Sequence, residues 1–270
     1  MDFFSSNVLM ALGITLFAGL ATVLGSALVF FEKTPSPRML AFGLAFAGGA
    51  MVFVSLTEIF KKATDSFALT YGEQGFTYAT FAFLAGLLLV MMIDRLIPNP
   101  HESLEANDPE FATNNDAYIK RIGLMTAFAI TAHNFPEGLA TFFATLELPS
   151  LGMPLAIAIA IHNIPEGISI AAPIYFATKD KGLTVFACFL SGLAEPLGAI
   201  LGYLLLKPFL SPAIFGAVFG LIAGVMVFLA LDELLPAAKR YSAGHETVYG
   251  LVAGMSALAI SLVLFLLLSL

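Results

Sequence analysis

Apolar and polar positions alternate along this chain on the scale of whole segments. Eight mostly apolar runs, at roughly 8–30, 38–60, 76–97, 121–146, 151–176, 182–207, 212–236 and 247–269, are separated by short polar connections. Each run is close to the ~20 residues that a bilayer-spanning helix requires. The pattern predicts an all-α membrane protein of eight transmembrane helices, with residues 1–270 forming a single transmembrane unit and no separate soluble domain. The first run is longer than the ~7–15 apolar residues of a secretory leader, and nothing basic precedes it in Met1-Asp2-Phe3-Phe4-Ser5-Ser6-Asn7, so it reads as a retained helix. One connection is long, about 98–120, and rich in Pro, Asn and acidic residues. It is expected to be a mobile cytoplasmic loop, in which His101, Glu102 and Glu105 are solvated rather than ligating.

Composition narrows the class. Only 11% of the 270 residues are charged and 59% are hydrophobic, against about 25% charged in soluble domains. The balance of 12 Lys+Arg to 19 Asp+Glu gives a net charge of −7, the wrong sign for a nucleic-acid partner. Neither a G-x-x-x-x-G-K-[ST] loop nor a G-x-G-x-x-G turn occurs, which removes nucleotide chemistry. The single cysteine, Cys188, can supply neither an intramolecular disulfide nor a thiolate cluster, so any metal site uses nitrogen and oxygen ligands. The basic residues divide nine to three between the two faces: Lys33, Arg38, Arg95, Lys120, Arg121, Lys179, Lys181, Lys239 and Arg240 against Lys61, Lys62 and Lys207. Because basic connections stay cytoplasmic, both termini are expected on the non-cytoplasmic side of the membrane.

The segments repeat. Gly19-Leu20-Ala21-Thr22-Val23-Leu24-Gly25-Ser26 corresponds to Gly192-Leu193-Ala194-Glu195-Pro196-Leu197-Gly198-Ala199 at an offset of 173. Gly49-Ala50-Met51-Val52-Phe53 with Leu56-Thr57-Glu58 corresponds to Gly224-Val225-Met226-Val227-Phe228 with Leu231-Asp232-Glu233 at an offset of 175. His133-Asn134-Phe135-Pro136-Glu137-Gly138 and His162-Asn163-Ile164-Pro165-Glu166-Gly167 share five of six residues. Partners lie an odd number of spans apart, so each helix should run opposite to its copy. The expected plan is a 3+2+3 inverted repeat: about 8–97, a loop at about 98–120, two central helices at about 121–176, and about 182–269. Secondary transporters are built this way, with their sites at the midplane in interrupted helices.

The central motifs carry the chemistry. Pro136 and Pro165 lack an N–H and release the carbonyls of Ala132 and Ile161, predicting a kink beside each polar cluster. His133 and Glu137, like His162 and Glu166, are i and i+4 and project from one helical face. If the two faces oppose, two imidazoles and two carboxylates converge in a donor set that Zn²⁺, Fe²⁺ and Mn²⁺ accept. Glu195 from the sixth run, with Asn134 and Asn163 as carbonyl donors, adds a second oxygen-rich position and allows a bridged two-metal centre. A charged carboxylate at the bilayer centre costs about 2.5–3.5 kcal/mol on insertion scales, and no Lys or Arg lies inside these runs to offset Glu137, Glu166 and Glu195. They are protonated, hold a cation, or face water.

Glu58, near the outer end of its run, and Asp232 and Glu233, near the inner end of theirs, either draw cations to the mouths of a pathway or are ordinary interfacial carboxylates. Met51 and Met226, at repeat-related positions, read as packing residues, with a thioether lining the path as the alternative, a weak soft ligand. His245 has no expected role.

The paired His-Asn-x-Pro-Glu-Gly motifs, the eight-span count and the Glu195-Pro196 step together resemble the ZIP (Zrt-, Irt-like) family of divalent metal transporters, its bacterial members above all. The resemblance implies uptake of zinc, and of iron, manganese and related ions, with the metal as substrate and no required cofactor. It implies one metal position drawing on His133, Glu137, His162 and Glu166, sometimes with Met51, and a neighbouring one drawing on Asn134, Glu137, Asn163, Glu166 and Glu195. It implies one block of helices sliding against another. The expected partners are divalent ions and the lipid bilayer, with the choice between monomer and homodimer open. Two rival readings are a membrane-embedded metallohydrolase, disfavoured by the absence of H-E-x-x-H, and a metal-stabilised structural or sensory protein.

Overall fold

The computed structural model describes residues 5–31, 37–96, 116–147 and 149–268. The predicted loop lies outside the described residues up to position 115. The rest is helical: α1 (Ser6–Val29), α2 (Pro37–Val54), α3 (Phe60–Tyr71), α4 (Gly75–Leu96), α5 (Asp116–Glu147), α6 (Pro149–Thr178), α7 (Lys181–Leu206), α8 (Pro212–Leu229), α9 (Leu235–Tyr241) and α10 (Glu246–Leu268). Five helical runs are long and apolar enough to cross a membrane: Ser6–Val29, Pro37–Ile93, Lys181–Phe209, Pro212–Tyr241 and Glu246–Leu264.

Two features differ from the sequence expectation. The second run was expected to end near residue 60, yet helix continues through Lys61-Lys62-Ala63-Thr64-Asp65-Ser66 to Tyr71, because the buried faces of Ala63, Ser66 and Phe67 keep it packed against the bundle. Glu58 therefore sits inside a helical run rather than near its end. The helical irregularities also fall elsewhere than at Pro136 and Pro165, through which α5 and α6 remain helical. They are single π-turns at Ser55–Ile59, joining α2 to α3, and at Ala230–Leu234, joining α8 to α9. These stand 175 residues apart, at the same place in the repeated sequence.

The surface is apolar, and a cluster of polar and charged side chains is buried within a larger apolar core. Leu205 and Phe81 are 72% and 65% exposed, whereas Thr22, Asn134, Glu137, His162, Asn163, Glu166, Ser191 and Glu195 are buried. Lipid offers no hydrophobic drive to bring helices together, so close backbone approach over small residues does that work. A methyl group at Gly19 would overlap the carbonyl of Gly192, and one at Gly192 the carbonyl of Gly19, so α1 and α7 cross at bare backbone.

The packing is paired throughout. α1 lies on α6 as α7 lies on α5, and α2 lies on α10 as α8 lies on α4. Helices α1, α5, α6 and α7 form an inner group, with α2, α3, α4, α8, α9 and α10 flanking it. Among the described residues the connections are short. Gly72, at φ 58°, turns the chain between α3 and α4 in the left-handed region that glycine adopts without steric cost. Asp180 caps α7 by accepting from the backbone N–H of Leu183 at 3.0 Å.

Candidate metal centre

Four helices bring the site residues to one place. On α6, His162 and Glu166 are one turn apart and share a face. Glu137 on α5 meets them across the helix contact, with its Oε1 2.6 Å from Nε2 of His162. One ligand atom from each of Glu137, His162 and Glu166 lies within 4.8 Å of the other two, and all three side chains are buried. The His133 side chain lies outside the described residues.

The asparagines are tied to the flanking inner helices. Asn163 donates through Nδ2 to the carbonyl of Ala18 on α1 at 3.0 Å and to Oε1 of Glu195 on α7 at 2.5 Å. Asn134 donates through Nδ2 to the carbonyl of Ser191 at 3.2 Å and to its Oγ at 3.4 Å. A backbone carbonyl only accepts, so each amide must turn its nitrogen toward it, which fixes Oδ1 as the acceptor on the other side. Among the described residues, Oδ1 of Asn134, Oδ1 of Asn163, Oε2 of Glu137 and Oε2 of Glu195 accept no hydrogen bond. Four buried acceptors without donors are an unusual expense.

Close helix approach holds this arrangement. A methyl group at Gly138 would overlap the backbone of Glu195, and one at Gly167 the backbone of Thr22. Glycine after each Pro-Glu step thus seats α7 on α5 and α1 on α6. No Lys or Arg occurs in 122–178 or 182–206, so three buried carboxylates face no fixed cation along those stretches. Imidazole nitrogen, carboxylate oxygen and amide oxygen make a donor set suited to a divalent first-row metal.

The other predicted residues lie elsewhere. Met51 is buried on α2. Glu58 lies in the first π-turn, and Asp232 and Glu233 in the second, all three half-buried. The sequence reading missed the anchoring partners, the Ala18 carbonyl and Ser191, which orient the asparagines. Their only signal was position, because Ala18 occupies the place in the repeat that Ser191 occupies 173 residues later.

An apolar exterior, long apolar helices and a buried N/O cluster with no Lys or Arg in 122–178 or 182–206 define a polytopic helical membrane protein. Residues 99–262 match the family described as ZIP zinc transporter. The chain is 71% identical over 265 residues to a protein of Neisseria meningitidis serogroup B named zinc transporter ZupT, covering 98% of both chains. Proteins of the same name from Xanthomonas campestris pv. campestris and Oceanobacillus iheyensis are 69% and 48% identical, over 97% and 96% of this chain and 96% and 98% of theirs. The chain belongs to the ZIP family. It is a transporter by family, not an enzyme.

Proposed function

We propose that the chain carries divalent first-row metal ions, Zn²⁺ and by the same donor chemistry Fe²⁺ and Mn²⁺, through the bacterial cytoplasmic membrane into the cell by alternating access. The observation that carries this reading is the buried meeting of Glu137, His162 and Glu166, with further donor-less oxygens on Asn134, Asn163 and Glu195 around it. Such a cluster is tolerable at membrane depth when a dication completes it. Relatives bearing the name zinc transporter support the choice of cargo.

The cation has two adjoining positions in this reading. His133, Glu137, His162 and Glu166 form one, and Asn134, Glu137, Asn163, Glu166 and Glu195 the other, with both central glutamates shared. The ion exchanges water for these ligands while the site faces outward; the outer side then closes, and hydration or protonation of the carboxylates releases it inside. Sharing ligands between two positions keeps each hold weak enough to let go. Eight spans in a 3+2+3 inverted repeat, both termini outside, give the fold two related ways to open. The matched π-turns and the matched helix pairs support that plan. Glu58 at one turn and Asp232 with Glu233 at the other lie along the route as cation-attracting carboxylates.

The test is uptake of radiolabelled zinc in cells carrying the protein or its variants. Glu137→Gln and His162→Ala are expected to abolish uptake while leaving the amount of protein in the membrane unchanged. Uptake equal to the parent in either variant would discard the site.

A further inference from the structure

Thr22 is a buried polar residue of the inner helices that the proposed metal positions leave unused. It is fully buried on α1, and its Oγ1 has no hydrogen-bond partner among the described residues. A threonine inside a helix ordinarily returns its hydroxyl proton to the carbonyl one turn back, as Thr15, Thr141 and Thr145 do here at 2.8–3.0 Å. Thr22 does not, so its hydroxyl is held for something else.

Its surroundings say what. The backbone of Thr22 lies against Gly167 as that of Glu195 lies against Gly138. One turn earlier, the Ala18 carbonyl accepts from Asn163 as the Ser191 carbonyl accepts from Asn134. The Glu195 carboxyl itself reaches α1: a Cβ at Gly19, three residues before Thr22 and on the same helical face, would lie 3.4 Å from Cδ of Glu195. Thr22 thus takes on the α1–α6 side the place that a carboxylate takes on the α5–α7 side.

We infer that the Thr22 hydroxyl is a further oxygen ligand for the transported cation, an uncharged counterpart of Glu195 that contacts the ion directly or through its retained water. A neutral oxygen here supplies a coordination contact without a fourth carboxylate. Four carboxylates would balance two dications in full and hold them; three leave the pair one charge short, which favours release. This rests on the metal-transport reading, and the experiment separates the two.

Purified protein is titrated with Zn²⁺ and Cd²⁺ by calorimetry, and zinc flux into proteoliposomes is measured, for the parent and for Thr22→Val, Thr22→Ser and Thr22→Asp. Valine keeps the shape and removes a buried hydroxyl that has no partner, so the metal-free Thr22→Val protein should melt at the parent temperature or above. Its metal affinity should fall about tenfold, as when a supporting contact at a metal site is lost, with the KM for flux rising in step. Thr22→Ser should stay close to the parent, and Thr22→Asp should bind tighter and turn over more slowly. Parent-like affinity and KM in Thr22→Val overturn the inference, and so does a metal-free melting point lowered together with affinity, which marks a packing residue. If the parent itself binds no metal, the transport reading fails instead.

Discussion

At the scale of residues, the site is an arrangement of acceptors in excess of donors. The metal-site cluster offers carboxylate and amide oxygens and an imidazole nitrogen, and the amide hydrogens of Asn134 and Asn163 are spent on holding helices together. The glutamates and asparagines of this set were legible in the sequence because their motif occurs twice and because uncompensated carboxylates in an apolar run demand a partner. Thr22 and Ser191 were not, since a hydroxyl inside a helix ordinarily satisfies itself on its own backbone. Gly138 and Gly167 were legible only as small residues; that each meets one particular neighbouring backbone depends on the fold. Gly138→Val and Gly167→Val should push α5 from α7 and α1 from α6. Overpacking of this kind costs about 1–3 kcal/mol, read as a lower melting temperature of the purified protein, with zinc flux lost in the fraction that remains folded.

At the scale of elements, the apolar runs were legible in the sequence, but neither the continuation of helix through Phe60–Tyr71 nor the places where helix geometry departs from ideal were. Proline drew attention to α5 and α6, yet a single missing hydrogen bond is absorbed within a packed bundle and the helices run on. The π-turns at Ser55–Ile59 and Ala230–Leu234 contain neither Gly nor Pro. They recur at matching places in the repeat, each with an acidic residue inside, and single-turn π segments are frequent at functional sites. A π-turn holds one residue more than the α-helix on either side, so deleting Leu56 lets the ladder close with both flanks in register. The shortened protein should keep or gain thermal stability and lose zinc flux, measured side by side in proteoliposomes. Preserved flux would show that the turn is a packing accident.

At the scale of the molecule, hydropathy alone announced the apolar exterior, since lipid accommodates exposed Leu205, Phe81 and their neighbours. Which helix lies on which was not legible, because apolar faces carry no address; the pairing follows from where glycines permit contact. The proposed topology puts the α3–α4 turn and the α9–α10 connection on opposite sides of the membrane. The chain's only cysteine is buried, so Gly72→Cys and Gly244→Cys place single reactive thiols on exposed turns. An impermeant maleimide added to intact cells should label the first and spare the second; labelling of both from outside would reject the arrangement.

The unequal pair Thr22 and Glu195 bears on why two similar halves reside in one polypeptide. An assembly of identical subunits must present every side chain in duplicate about its axis, and can gather negative groups only in even number. Joining the halves covalently frees each to drift, and an odd tally of acids becomes available to evolution for tuning how readily the cargo departs.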